Sequence, residues 1–217
     1  MENKKIIIFT GPSLHPEDAE KILKAEYHPP VGRDDILDVL KYNPDVIGII
    51  DGVFHQRPAV SHKELLKAMK MGITVVGGAS MGALRASELD DFGMIGVGKV
   101  YKAYKNGEIE SDDDVAVVFN PQNTEQLSEA LVSMSYNFQE AFKQGLISHE
   151  DLGKLNKTAK SIYYPKRTYK LVLNNTDIDP QKKVLLKEFL EEKGKDIKRE
   201  DAIQVLRCIK KIIDQDH

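Results

Sequence analysis

Short, unbroken apolar runs alternate with amphipathic stretches through the first half of the chain. Ile6-Ile7-Ile8-Phe9, Val46-Ile47-Gly48-Ile49-Ile50 and Ile73-Thr74-Val75-Val76 are rich in β-branched residues and lack polar alternation. Runs of that kind are strands buried on both faces. Helical patterns lie between them. Pro16 to Glu20 carries a proline in its first turn and acids near its positive end. Arg33 to Tyr42 is amphipathic and stops before Asn43-Pro44, Ser61 to Met71 is closed by Gly72, and Met81 to Leu89 follows the third run. Strands separated by helices predict an α/β fold, a parallel sheet flanked by helices in the Rossmann-like manner.

The second half reads differently. Asp90 to Gly98 mixes glycines with apolar residues, and Tyr101 to Gly107 predicts a short helix. Val115 to Phe119, after Asp112-Asp113-Asp114, predicts a last strand. Beyond Asn120-Pro121 the pattern is helical. Asn123 is placed to cap one helix with Gln126 three residues on, Ser148 and Asp151 form a capping-box pattern, and Asp179-Pro180 starts a further helix. The expected division is therefore 1–120, an α/β core with the candidate crevice, and 121–217, a helical C-terminal region suited to partner docking.

Composition narrows the function classes. A chain of 217 residues with 41% hydrophobic content can bury a substantial core. A net charge of −3 gives no global field toward nucleic acid or a membrane, so neither partner is expected. A single cysteine, Cys208 in a helical pattern, rules out an intrachain disulfide and a cysteine-built zinc site, and reads as a structural thiol. No apolar run reaches the length of a membrane span, and the one after Met1 is short for a signal peptide, so a cytoplasmic location is expected.

In an open parallel sheet, ligands bind outside the C-terminal ends of the strands. Those ends carry Gly11-Pro12-Ser13, Asp51-Gly52 and Gly77 to Gly82. Gly78-Ala79-Ser80-Met81-Gly82 reads G-x-S-x-G between a strand and a helix, the setting of a nucleophile elbow. The same turn could serve as an anion site or as helix–sheet packing, with Ser80 as a helix cap. A serine needs a base. His62, at the start of the helix Ser61 to Met71, is the favoured histidine, ahead of His55 and His28. Lys63 is the spare candidate. Asp51 could orient an imidazole or hold a water, or be a turn aspartate. Arg85 could bind a carboxylate, or pair with Glu88 three residues on. Gly11 and Ser13 could add donors. Asp112-Asp113-Asp114 reads as a solvated acidic turn rather than a metal site. Lys154 to Lys170, with Tyr163, Tyr164 and Tyr169, reads as a basic face for an acidic protein partner or as a solvated helix face.

Taken together, the loops resemble a known family. Gly11-Pro12-Ser13-Leu14, Ile49-Ile50-Asp51-Gly52, Pro58-Ala59-Val60 with His62-Lys63-Glu64, Gly78 to Ala86, Phe92 to Gly98 and Asp112 to Val117 are similar to blocks of the TfuA-like proteins. The resemblance spans roughly residues 5–120. It implies a sulfide-supplying partner of a YcaO protein in peptide backbone thioamidation, acting on the C-terminal thiocarboxylate of a ThiS-like ubiquitin-fold carrier. It implies Ser80 as nucleophile, His62 as base, Asp51 as its orienter, and substrate contacts from Arg85, Ser13, Gly11, Gly78, Met81 and Lys63. No cofactor is implied for this chain, since ATP and metal belong to the YcaO partner. The peptide substrate reached through YcaO would be methyl-coenzyme M reductase if the source is a methanogen. The alternative is a non-catalytic adaptor that presents the carrier to YcaO. The order Asp51, His62, Ser80 differs from that of the α/β-hydrolases.

Overall fold

The structure is a computed structural model that describes residues 4–53, 57–120, 122 and 125–215. Two compact units are formed, residues 1–110 together with 198–217, and residues 111–197. The expected boundary at 120 falls inside the second unit, and the last helix belongs to the first.

In the first unit, strands β1 (Ile6–Phe9), β2 (Glu26–His28), β3 (Val46–Ile49), β4 (Thr74–Gly78) and β5 (Ile95–Val97) build one sheet in the order β2-β1-β3-β4-β5. Every neighbouring pair is parallel. The expected parallel sheet flanked by helices is therefore present. Its strand order reverses between β1 and β3, the switch point of a doubly wound sheet. Side chains alternate along each strand. Ile7, Phe9, Ile47, Ile49 and Val75 face one core with α2 (Asp35–Leu40), α3 (His62–Lys70) and α4 (Met81–Leu89). Ile8, Val46, Ile50 and Val76 face the other with α1 (Pro16–Glu20) and the C-terminal helix α10 (Ile197–Gln215). Between β5 and that helix in sequence, α5 (Gly98–Lys105) is the remaining helix of this unit.

One expectation about the sheet is corrected. The last strand is Ile95–Val97, not Val115 to Phe119. The latter segment follows a 3-10 turn, and it pairs locally with 126–128 through Ser128 Oγ accepting from Val118 N–H (2.8 Å) and Val118 O accepting from Leu127 N–H (2.7 Å). Val115 and Ala116 are buried without joining the sheet, which is why they read as a strand.

The second unit is helical: α6 (Leu131–Lys143), α7 (His149–Ser161), α8 (Tyr169–Asn175) and α9 (Pro180–Lys193) enclose Met134, Phe138, Leu155, Val172 and Leu186. Ser148 and Asp151 form the expected capping box, and Asp179 caps α9. The helix expected directly after Asn123 starts instead at Leu131, and Asn123 lies outside the described residues. Asp113 and Asp114 are not a solvated turn. Asp114 is buried and accepts from Ser111 N–H at 3.1 Å. Asp113 is paired with Arg167, which is fully buried. The basic stretch Lys154 to Lys170 is accordingly tied inward at Arg167, at the buried Tyr164, and at Tyr169, whose oxygen accepts from Asn137 Nδ2 at 2.6 Å. Among the described residues, no helix is long and apolar enough to cross a membrane.

Candidate functional site

The turn from β4 into α4 is built by close approach. A Cβ on Gly82 would overlap Ile49 O, and one on Gly77 would overlap Gly82 O. Any side chain at these positions would push α4 off the ends of β3 and β4, so the small residues are required by packing. Ala79 takes the left-handed backbone conformation at φ 67°, an arrangement that costs a non-glycine residue about 1–2 kcal/mol. The strain of this elbow therefore sits one residue before the serine. Ser80 follows with φ −134° and ψ −117°.

Ser80 occupies the N-cap position of α4, yet its side chain makes no capping hydrogen bond. Its hydroxyl has no hydrogen-bond partner among the described residues, and the residue is 8% exposed. The helix-cap account of this serine is thus not what the structure shows. Two backbone donors lie beside it. Gly82 N–H donates to Ile50 O (3.3 Å) and Ala83 N–H to Ser80 O (2.9 Å), whereas Met81 N–H has no acceptor among the described residues. Asp51 O and Val53 N–H are both engaged by Val31. Strand alternation therefore turns Gly52 N–H to the opposite side, toward β4. On the face of Gly52, the Met81 side chain packs with its Cγ 2.5 Å from where a Gly52 Cβ would stand. Met81, at the positive end of a nine-residue helix, and Gly52 are thus in contact, and neither amide has an acceptor among the described residues.

The expected triad is not assembled. Asp51 is 2% exposed, and its carboxylate is taken by Ser13, from Oγ at 2.7 Å and N–H at 3.0 Å. It fastens the β1 turn at the switch point instead of facing an imidazole. Val31 bridges Gly52 across this region, and a Cβ on Gly11 would come within 2.6 Å of Pro30 Cγ. Gly11 and Ser13 are therefore closed over by the chain and do not line an open crevice. His62 Nε2 lies 2.8 Å from Glu88 Oε2. Glu88 is eight residues beyond Ser80, about 12 Å along α4. The imidazole is thereby held beside the C-terminal half of that helix, away from the elbow. Arg85 donates through Nε to Val60 O (3.0 Å) and through Nη1 to Glu88 (2.6 Å), so the helix-pair alternative is the one observed. Lys63 is exposed on the first turn of α3. His28 Nε2 pairs with Glu26 at the sheet edge. His55 lies outside the described residues.

Gly52 was not among the expected site residues. Its signal in the sequence is the Asp51-Gly52 pair at a strand end, which reads equally well as an ordinary turn. Among the described residues, no cluster of His, Cys, Asp and Glu could hold a metal ion.

A family model described as TfuA-like protein matches residues 51–168, more than half of the chain, and the chain belongs to that family. The matched segment contains the elbow and the Asp112–Asp114 turn. No curated protein matches the chain.

Proposed function

We propose that this chain is a serine-dependent hydrolase that releases sulfide from the C-terminal thiocarboxylate of a ThiS-like carrier, for use by a YcaO protein in backbone thioamidation. The observation that carries the reading is the Ser80 hydroxyl, at a strained strand-to-helix turn and without a hydrogen-bond partner among the described residues, with the Met81 and Gly52 amides also without acceptors there. Family membership supports the substrate class. In the reaction, the Ser80 oxygen bonds to the thiocarboxylate carbon, the C–S bond breaks, and sulfur leaves as hydrosulfide. Water then cleaves the acyl-serine, restoring the hydroxyl and freeing a carboxylate. The net change is thiocarboxylate plus water to carboxylate plus hydrogen sulfide. The amides of Met81 and Gly52 hold the oxyanion of each addition, where one such donor contributes about 2.7–4 kcal/mol in other hydrolases. His62 is engaged by Glu88, and no described side chain hydrogen-bonds to the serine as a base.

That last observation favours a second reading, in which the elbow binds the carrier tail and YcaO performs the chemistry. Sulfide release from a thiocarboxylated carrier without YcaO separates the two. Under the hydrolase reading wild type releases sulfide, and Ser80→Ala loses about 10³-fold or more while still binding the carrier. Equal release by both proteins, or none by either with and without YcaO, refutes it.

A further inference from the structure

Asp201, Val205 and Ile209 are spaced four apart on α10 and so form a single ridge. Each is seated on a glycine in the sheet or directly after it. Val205 Cγ2 lies 2.6 Å from where a Gly78 Cβ would stand, and Ile209 Cδ1 lies 2.8 Å from the corresponding point on Gly48. At Gly98 the Asp201 carboxyl itself fills the Cβ position. The three glycines belong to β3, β4 and the residue just after β5, so together they make a groove across the sheet that the ridge fills. Gly78 is the first glycine of the G-x-S-x-G motif. The residue after it, Ala79, packs in the same buried cluster as Ala202 and Val205.

Asp201 does more than fill space. It is fully buried, and its Oδ2 accepts from Val100 N–H at 2.7 Å, in the first turn of α5. Burial pushes its pKa up against the lowering effect of the Val100 and Lys99 amides. A carboxylate with so little access to water persists there because the helix N-terminus needs an acceptor. By this bond α10 fixes where α5 leaves β5, the strand beside the elbow. The family match stops at residue 168, so the element that presses on the motif lies outside the matched segment.

We propose that α10 is the positioning element of the Ser80 elbow: Val205 sets the turn at Gly78, and Asp201 is a positioning residue that anchors the neighbouring start of α5. As a statement about catalysis this rests on the hydrolase reading, but as a statement about the conformation of the turn it does not. An ordinary core helix would stabilise the whole unit evenly. A positioning helix acts locally, and that difference can be measured.

The experiment uses the full chain as wild type, Val205→Ala, Asp201→Asn and Leu23→Ala, the last removing a side chain from the same buried cluster that is not seated on Gly48, Gly78 or Gly98. Hydrogen exchange is followed in 76–84 and in β1. The expected result is at least tenfold faster exchange in 76–84 for Val205→Ala and Asp201→Asn, with β1 changed less than twofold. Leu23→Ala is expected to show no preference for 76–84. In parallel, Ser80 labelling by a fluorophosphonate is expected to slow at least fivefold in both ridge variants, and kcat for thiocarboxylate hydrolysis to fall at constant KM. Exchange that rises equally in β1 and 76–84, or not at all, overturns the proposal. If wild type is neither labelled nor active, the hydrolase reading fails and the exchange ratio alone decides.

Discussion

Removing the Asp113 carboxylate should damage the second unit more than removing the carboxylate and its arginine together. The Arg167 side chain is wholly buried and makes three bonds, Nε to Ala159 O (3.1 Å), Nη1 to Asp113 O (3.2 Å) and Nη2 to Asp113 Oδ2 (2.6 Å). Asp113 is 38% exposed and can turn to water. Asp113→Ala therefore strands a guanidinium that cannot be deprotonated in an enclosed site, a change that costs about 3–5 kcal/mol in buried pairs. Two carbonyl acceptors remain to it, which places the expected loss at the lower end, about 3 kcal/mol. Arg167→Met added to that background removes the stranded charge and keeps most of the stem's packing. The double variant is expected to regain about 1–2 kcal/mol. Hydrogen exchange of α7 reads the opening free energy of this unit directly, with urea unfolding by circular dichroism alongside. Additive losses, with the double variant less stable than Asp113→Ala, would refute the argument that the buried charge dominates.

Asp151 links the start of α7 to α9, with its pKa lowered to about 2 by the Lys182 ammonium and the Ser148 hydroxyl and amide. A lowered carboxylate stabilises the fold above its unfolded value of 3.8 and loses that contribution as pH falls toward 2, about 2 kcal/mol in all. Asp151→Asn should therefore flatten the acid limb of α7 stability between about pH 4 and 2. A limb unchanged by the substitution would contradict this. His62→Ala, which removes a partner of Glu88 on the flank of α4, is expected to change Ser80 labelling less than threefold, and a loss of 100-fold would show that the histidine reaches the elbow after all.

The strands β1, β3 and β4 were legible because burial on both faces leaves an unbroken apolar run. β5 was not, since Ile95-Gly96-Val97 is three residues long and its glycine lies under the Tyr101 ring. The capping box of α7 was legible because both of its bonds are local. The place of α10 was not, because a long amphipathic helix carries no mark of the sheet it covers. The groove that receives it is written in Gly48, Gly78 and Gly98, scattered over 51 positions of the chain.

The elbow and the triad met opposite outcomes for one physical reason. The elbow is contiguous in sequence, and its requirement is steric: Gly77 and Gly82 must let two backbones touch, and no other residue type does so. A triad depends on where side chains from three elements point, which strand and helix periodicity does not determine. His62 does stand at the helix start near the strand ends, as expected. Its ring, however, finds a carboxylate on the flank of α4, and Glu88 is already fixed there by Arg85. Asp51 does lie just beyond β3 at the switch point, but the β1 turn needs an acceptor for Ser13 and takes both oxygens. Asp51 and His62 each satisfied the nearest unmet hydrogen-bonding need, and of the three Ser80 alone has a side chain with no partner among the described residues. That exception is what gives the serine its claim to chemistry.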